Sequence, residues 1–134
     1  GVARSTDGIH WQKAHANPIL DTGPPGSFDE RSLGEPAVFC AADRYLMLYT
    51  GRDANEDRRI GWAESVNGVD WKQLPTLPLL EGSQAWNSHV VCDPSVWRRG
   101  GDLLVWFGGG NRPSPDENLN GRIGLAMLRT KGSE

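Results

Sequence analysis

The chain has 134 residues, with 17 glycines, 9 prolines, 6 tryptophans and a formal net charge of −3. Its 14 basic and 17 acidic residues are mixed along the sequence, so no basic patch indicates nucleic-acid binding. No apolar run reaches the roughly 20 residues that a membrane-spanning helix needs, so no membrane partner is predicted. Frequent glycine and proline favour strands and turns over helices.

The predicted elements are short strands separated by turn residues. In chain order, we predict strands at residues 1–5, 9–13, 34–39, 45–51, 60–65, 69–73, 93–97, 103–109 and 123–128. The dipeptides Asp7-Gly8 and Asn67-Gly68 are predicted to form two-residue hairpin turns, because these residue types tolerate the positive φ that such turns need. The pattern predicts an all-β chain.

The order of these strands repeats at an interval near sixty residues. Trp11 and Trp71 are 60 positions apart, and Pro36 and Pro94, each preceded by an acidic residue, are 58 apart. Each unit contains an acidic-Pro strand, an apolar strand, a Gly-x-Ala strand and a Trp strand. Four-stranded antiparallel units repeated around an axis form a β-propeller. A β-sandwich with accidental similarity is the alternative, and the constant order of the echoes argues against it.

The motifs of the unit resemble those of a known family. They are acidic-Pro-x-Val, a strand ending in Tyr-x-Gly, Ile-Gly-x-Ala-x-Ser-x-Asp-Gly-x-x-Trp, Pro-x-Leu and Gly-Ser-Phe-Asp. This set resembles the five-bladed β-propeller glycoside hydrolases of the arabinanase, levansucrase, β-xylosidase and invertase type, with the related mannoside phosphorylases. The Ser-x-Asp-Gly-x-x-Trp turn also resembles the sialidase Asp-box, with one residue fewer before the glycine.

The resemblance implies that residues 1–134 form a single partial propeller domain. Residues 1–20 would end one blade, 28–75 would form a complete blade and 86–130 an incomplete one. A ring of five such blades needs roughly 300 residues, so this chain holds a little over two blades. Either it is a fragment of a longer protein or copies of it associate, and we expect a homo-oligomer that completes the propeller.

Two carboxylates are candidates for catalysis. The resemblance implies that the first strand of each blade lines the axis, and Glu35 and Asp93 occupy the same place in two such strands. Glycoside hydrolysis uses carboxylates at the scissile bond, so the resemblance implies a carbohydrate in an axial pocket with Asp93 and Glu35 as acid/base groups. The family takes three carboxylates from three blades, and this chain supplies two such strands. The alternative is that each carboxylate caps a turn or pairs with an arginine.

Six further residues are candidates for substrate binding, because five precede the first strands of the blades and one, Arg52, follows a second strand. They are Phe28, Asp29, Arg52, Trp86, Asn87 and His89. Trp86 is favoured for stacking on a sugar ring, although such an aromatic is about as often a lid on the core. For the Asp29 and Asn87 side chains the alternative is an Asx turn, and for His89 it is an ordinary hydrogen bond. No sequence cluster has metal-ligand spacing, so neither a metal nor another cofactor is predicted.

A second hypothesis assigns no chemistry to the chain. It is then a non-catalytic, sugar-binding propeller piece that assembles into a closed ring. Cys40 and Cys92 are predicted at opposite ends of equivalent strands, beyond the Cα separation of about 7 Å that a disulfide allows. Unpaired thiols slightly favour the cytoplasm, but no targeting segment is visible and no location is assigned.

Overall fold

The structure, a computed structural model, describes residues 1–74, 77–113 and 121–129. The predicted blade ends at residues 75 and 130 lie outside these described residues. The described part contains nine strands and one 3₁₀ turn, Ala85–Asn87. The strands are β1 (Ala3–Arg4), β2 (Gln12–Lys13), β3 (Ser32–Ala41), β4 (Arg44–Arg52), β5 (Arg58–Ser65), β6 (Lys72–Gln73), β7 (Val90–Arg99), β8 (Asp102–Gly110) and β9 (Arg122–Arg129). None of the described residues form a helix with the length and hydropathy of a membrane span.

The strands form three successive antiparallel groups, which we call blades. Blade 1 is the pair β1–β2, blade 2 is β3–β4–β5–β6, and blade 3 is β7–β8–β9. Among the described residues, one parallel strand pair, Arg58 with Val90, links the sheets of blades 2 and 3. The all-β class and the four-strand order of the repeating unit are therefore confirmed.

The turn between β5 and β6 is longer than the predicted two-residue hairpin. Ser65 Oγ accepts the backbone N–H groups of Asn67 and Gly68 at 3.3 and 2.9 Å. Asn67 Oδ1 accepts the N–H groups of Val69 and Asp70, each at 2.9 Å. Gly68 has a φ of +74°, whereas Asn67 lies outside the left-handed region. Side-chain oxygens, rather than two residues of positive φ, therefore define this turn.

The first copy of the motif has the same network with an aspartate. Ser5 Oγ accepts the N–H of Gly8 at 2.8 Å, and Asp7 Oδ1 accepts two backbone N–H groups at 2.9 and 2.8 Å. The His10 ring lies 2.6 Å from Asp7 Oδ2 and, with the backbone bonds, holds the pKa of Asp7 well below its usual range. The carboxylate of Asp7 and the amide of Asn67 accept the same two backbone bonds in their turns. Since the turn does not need a charged residue, we interpret the repeated motif as a structural turn.

The hydrophobic core lies between the blades. Leu48 and Ile60 of blade 2 pack against blade 3 in a cluster completed by Val91, Leu103 and Val105. A second cluster, on the opposite face of blade 2, includes Tyr49, and Trp71 packs on it. Trp11, the equivalent of Trp71, is instead 63% exposed.

Candidate functional site

Glu35 and Asp93 occupy matching bulges in the first strands of blades 2 and 3. The strand register shifts between residues 34 and 37 in β3 and between residues 92 and 95 in β7. Both acidic residues have a φ of +53°, a conformation that costs a residue with a Cβ about 1–2 kcal/mol. Bulges re-aim side chains and are frequent beside active sites. The fold thus holds two carboxylates in equivalent, strained positions.

One backbone N–H connects the two acidic residues. The N–H of Asp93 donates to Glu35 Oε2 at 3.2 Å and to Thr50 Oγ1 at 3.1 Å. Thr50 is buried in β4 and belongs to blade 2, like Glu35. The left-handed conformation of Asp93 turns its N–H toward the neighbouring blade, so the placement of each carboxylate depends on the other blade.

The thiol of Cys92 lies beside these carboxylates. Its Sγ donates to Asp93 Oδ2 at 3.0 Å, and donor atoms of Glu35, Cys92 and Asp93 all lie within 4.8 Å of one another. Burial, and then the adjacent Asp93 carboxylate, raises the pKa of Cys92 well above its usual value. The donor set is one that a metal ion can use, and a metal bound there would displace the thiol proton. We assign no metal to it. Cys92 and the exposed Cys40 are both unpaired, as predicted.

A cleft of about 240 Å³ opens beside Glu35. Thr50, Arg52 and Arg58 contribute to its lining, so the structure brings the predicted residue Arg52 together with Glu35. Arg52 pairs with Glu56 at 3.1 Å, and Arg58 is almost completely buried. The cleft therefore combines a carboxylate, a hydroxyl and two guanidinium groups, which can together bind a polyhydroxylated ligand.

His89 lies at the junction of blades 2 and 3, immediately before β7. Its Nδ1 is 2.7 Å from Asp57 Oδ1, and Arg59 Nη2 donates to the other oxygen of that carboxylate at 3.1 Å. The carbonyl of His89 accepts the N–H of Arg58 at 2.9 Å and Arg59 Nη1 at 3.0 Å. Asp57 and Arg59 were not predicted from the sequence, because their bonds to His89 span about thirty residues. The charged loop before β5 was the only available signal.

Phe28 lies flat on blade 2. A Cβ at Gly51 or Gly61 would collide with its ring, at 2.7 and 2.5 Å from ring carbons. The ring also stacks on Tyr49, with centroids 6.1 Å apart. These contacts correspond to the lid alternative, in which glycines in adjacent strands let the aromatic ring approach the backbone.

Trp86 repeats this arrangement on blade 3. A Cβ at Gly109 or Gly124 would collide with its ring, which stacks on Phe107 with centroids 6.0 Å apart. The next residue, Asn87, is buried, and its Oδ1 accepts the backbone N–H three residues earlier at 2.9 Å. Trp86 is half-buried, so sugar stacking by its remaining surface stays a prediction.

Asp29 lies away from the Glu35 cleft, in a second cleft that includes Ser27 and Gln73. The Asp29 side chain is buried, and its two oxygens accept Ser27 Oγ at 2.8 Å, Tyr49 Oη at 3.0 Å and Gln73 Nε2 at 3.0 Å. Burial, and then the Asp29 carboxylate, raises the pKa of Tyr49 well above its usual value. This carboxylate ties the loop before β3 to blade 2.

Comparison with known proteins connects the chain to larger ones. No family model matches it. Two uncharacterized proteins of Mycobacterium tuberculosis, MT1551 and Rv1502, are each 30% identical over 108 residues, which are 80% of this chain and 34% of theirs. The chain thus spans about a third of the length of these curated relatives.

Solved structures define the class of fold. A glycoside hydrolase has a TM-score of 0.76 and 18% identity over 100% of this chain and 36% of its own. A GH130 structure has a TM-score of 0.73 and 16% identity, over 87% of this chain and 37% of its own. The GH130 family of mannoside phosphorylases contains glycoside hydrolases that target β-1,2 mannosidic linkages. The Bombyx mori GH32 β-fructofuranosidase BmSUC1 has a TM-score of 0.71 and 19% sequence identity, over 95% of this chain and 26% of its own.

These similarities confirm the family resemblance at the level of the fold. The chain has the fold of a partial β-propeller, similar to part of the propellers in these glycoside hydrolase structures. It covers between 26% and 37% of the solved propeller chains described above.

Proposed function

We propose that the cleft beside Glu35 binds a carbohydrate and that, within a complete propeller, the carboxylates of Glu35 and the adjacent Asp93 take part in hydrolysing a glycosidic bond. The observation that carries the proposal is the pair of carboxylates held at matching left-handed bulges of adjacent first strands. Strained residues of this kind cluster at functional sites. The glycoside-hydrolase-like fold supports the substrate class.

The spacing of the two carboxylates refines the proposal. Catalytic pairs that flank a bond stand about 5–5.5 Å apart in retaining enzymes and about 6.5–9.5 Å apart in inverting ones. One oxygen of Glu35 and one of Asp93 lie within 4.8 Å of each other, and Glu35 Oε2 accepts the backbone N–H of Asp93, so Glu35 is bonded to the neighbouring strand and does not face Asp93 across an open gap. In our proposal both therefore lie on one side of the scissile bond, and a third carboxylate from another blade faces them.

A panel of nitrophenyl glycosides tests this function. Turnover is expected to fall by about 100-fold or more in Asp93→Asn and Glu35→Gln, the loss typical of an acid/base group. Asp43→Asn is the matched control, because this carboxylate is 78% exposed on a turn. A panel without any turnover, or turnover that Asp93→Asn leaves unchanged, would remove the catalytic proposal.

The second candidate is a non-catalytic module that assembles into a closed ring, and the surface of β9 supports it. Ile123, Leu125 and Met127 alternate along one face of β9 and are 83%, 54% and 45% exposed. The equivalent of Ile123 in blade 2 is Ile60, which blade 3 covers completely. We propose that a second copy of the chain covers β9 in a homo-oligomer.

Light scattering tests the assembly. The chain is expected to form an oligomer that Leu125→Lys weakens, and a folded monomer at micromolar concentration would refute association. Isothermal titration with the same glycosides separates the two candidates, because the non-catalytic module binds sugar without turnover.

A further inference from the structure

His89, at the junction of the blades, makes hydrogen bonds through both its backbone and its ring. His89 donates its backbone N–H to the Gly110 carbonyl at 3.2 Å, and its own carbonyl accepts from Arg58 and Arg59. These bonds already fix the backbone at the start of β7. The bond between the His89 ring and Asp57 therefore adds no further constraint on the strand, and it acts on the ring itself.

The bond to Asp57 determines which ring nitrogen carries the proton. An ionised carboxylate only accepts hydrogen bonds, so the 2.7 Å contact between Asp57 Oδ1 and His89 Nδ1 requires the proton on Nδ1. In the neutral ring Nε2 is then an acceptor. Arg59 holds the other oxygen of Asp57 at 3.1 Å, so the carboxylate cannot rotate away without losing that ion pair.

The backbone of His89 bonds directly to a residue that lines the candidate cleft. Arg58, which lines the cleft with Glu35, donates its backbone N–H to the His89 carbonyl. His89 also lies immediately before β7, four residues ahead of Asp93. Its side chain is 42% exposed although Asp57 is mostly buried, so the edge of the ring away from Asp57 is accessible.

We infer that Asp57 is a positioning residue that fixes His89 as the Nδ1–H tautomer, so that Nε2 accepts a hydrogen bond from a sugar hydroxyl beside the Glu35 cleft. This role rests on the proposed carbohydrate binding. The bonds of Asp57 and Arg59 then serve to orient the His89 ring and are not needed for strand pairing. An acceptor at Nε2 favours ligands that present a hydroxyl donor to His89.

Replacing Asp57 with asparagine tests the tautomer directly. The amide introduced by Asp57→Asn keeps an oxygen for Arg59 but can offer its N–H to Nδ1 of His89, which moves the ring proton to Nε2. Long-range proton–nitrogen NMR at neutral pH is expected to show protonated Nδ1 for His89 in the wild type and protonated Nε2 in Asp57→Asn. Asp53→Asn is the matched control, because Asp53 belongs to the same loop and its side chain bonds only backbone N–H groups in the described contacts. A wild-type ring protonated at Nε2 would overturn the inference.

Binding of nitrophenyl glycosides, measured by titration, tests the role of the tautomer. Asp57→Asn is expected to weaken binding about tenfold, the effect of one lost hydrogen bond, while Asp53→Asn binds like the wild type. A switched tautomer with unchanged affinity overturns the role of His89 and leaves the proposed function intact. Failure of every glycoside to bind the wild type instead overturns the proposed function, and the substrate role of His89 with it.

Discussion

The backbone strain at Glu35 can be measured by comparing two substitutions at that one position. Glu35→Gly and Glu35→Ala both remove the carboxylate, so the lost bond to the Asp93 N–H cancels in the comparison. At a φ of +53° a Cβ costs about 1–2 kcal/mol, whereas an ordinary strand position favours alanine over glycine by roughly 0.5–1 kcal/mol. Glycine is therefore expected to be the more stable variant by about 1 kcal/mol.

Urea unfolding followed by tryptophan fluorescence, with linear extrapolation to water, measures the difference. Val38 is the matched control in the same strand, since it lies in regular pairing with Met47, and there the glycine variant is expected to be the less stable. Ala42, with a φ of +53° in the following turn, is the positive control, and Ala42→Gly should stabilise. If Glu35→Gly is less stable than Glu35→Ala by as much as at Val38, the position is unstrained and the reasoning fails.

Three further outcomes follow from the packing. Gly61→Ala should lower the free energy of unfolding by about 1–3 kcal/mol, because its Cβ would lie 2.5 Å from an aromatic carbon. Gly121→Ala should change that free energy little, because a Cβ there would have no atom within 4 Å. Equal effects of the two substitutions in urea unfolding would contradict this expectation. Ser65→Ala should cost about 1–3 kcal/mol in the same assay, since a buried acceptor for two backbone N–H groups is lost; no change would remove the turn network from the account. A thiol reagent should label the exposed Cys40 and spare Cys92 in the native protein, because the raised pKa of Cys92 leaves little thiolate near neutral pH. In urea the reagent should label both cysteines. Equal labelling rates of Cys40 and Cys92 in the native protein would argue against the burial of Cys92.

The sequence predicted those features that depend on local pattern and on the repeat. The apolar run at residues 45–51 lies within β4, Arg44–Arg52, because a strand covered on both faces needs apolar residues throughout. The interval between the acidic-Pro steps also placed Glu35 and Asp93 at equivalent positions before any contact was known.

Other features depend on contacts between blades and left no local signal. The N–H that Asp93 shares between Glu35 and Thr50 joins residues 58 and 43 positions apart. The bond between Asp57 and His89 spans 32 positions. A one-dimensional pattern carries no information about which loop of one blade meets the first strand of the next.

The turns were predicted with the wrong geometry. An Asp-Gly or Asn-Gly dipeptide favours a two-residue hairpin, but the serine two residues before Asp7 or Asn67 offers an acceptor to the turn amides. That hydroxyl stabilises a wider loop, and consequently β2 and β6 contain only two residues each among the described strands.

The joint between blades 2 and 3 has a consequence for the chemistry of a closed ring. Inside blade 2, β4 and β5 pair over eight residues, whereas Arg58 with Val90 is the single ladder pair between the blades within the described residues. A rotation of one blade against the other would therefore repack the core between them and change the separation of Glu35 and Asp93, while the strand pairs inside each blade stay intact. The blades that complete the ring set the rotation of blade 2 against blade 3. Two rings with identical strands can therefore differ in the distance between Glu35 and Asp93, and hence in the ligand that fits between the blades.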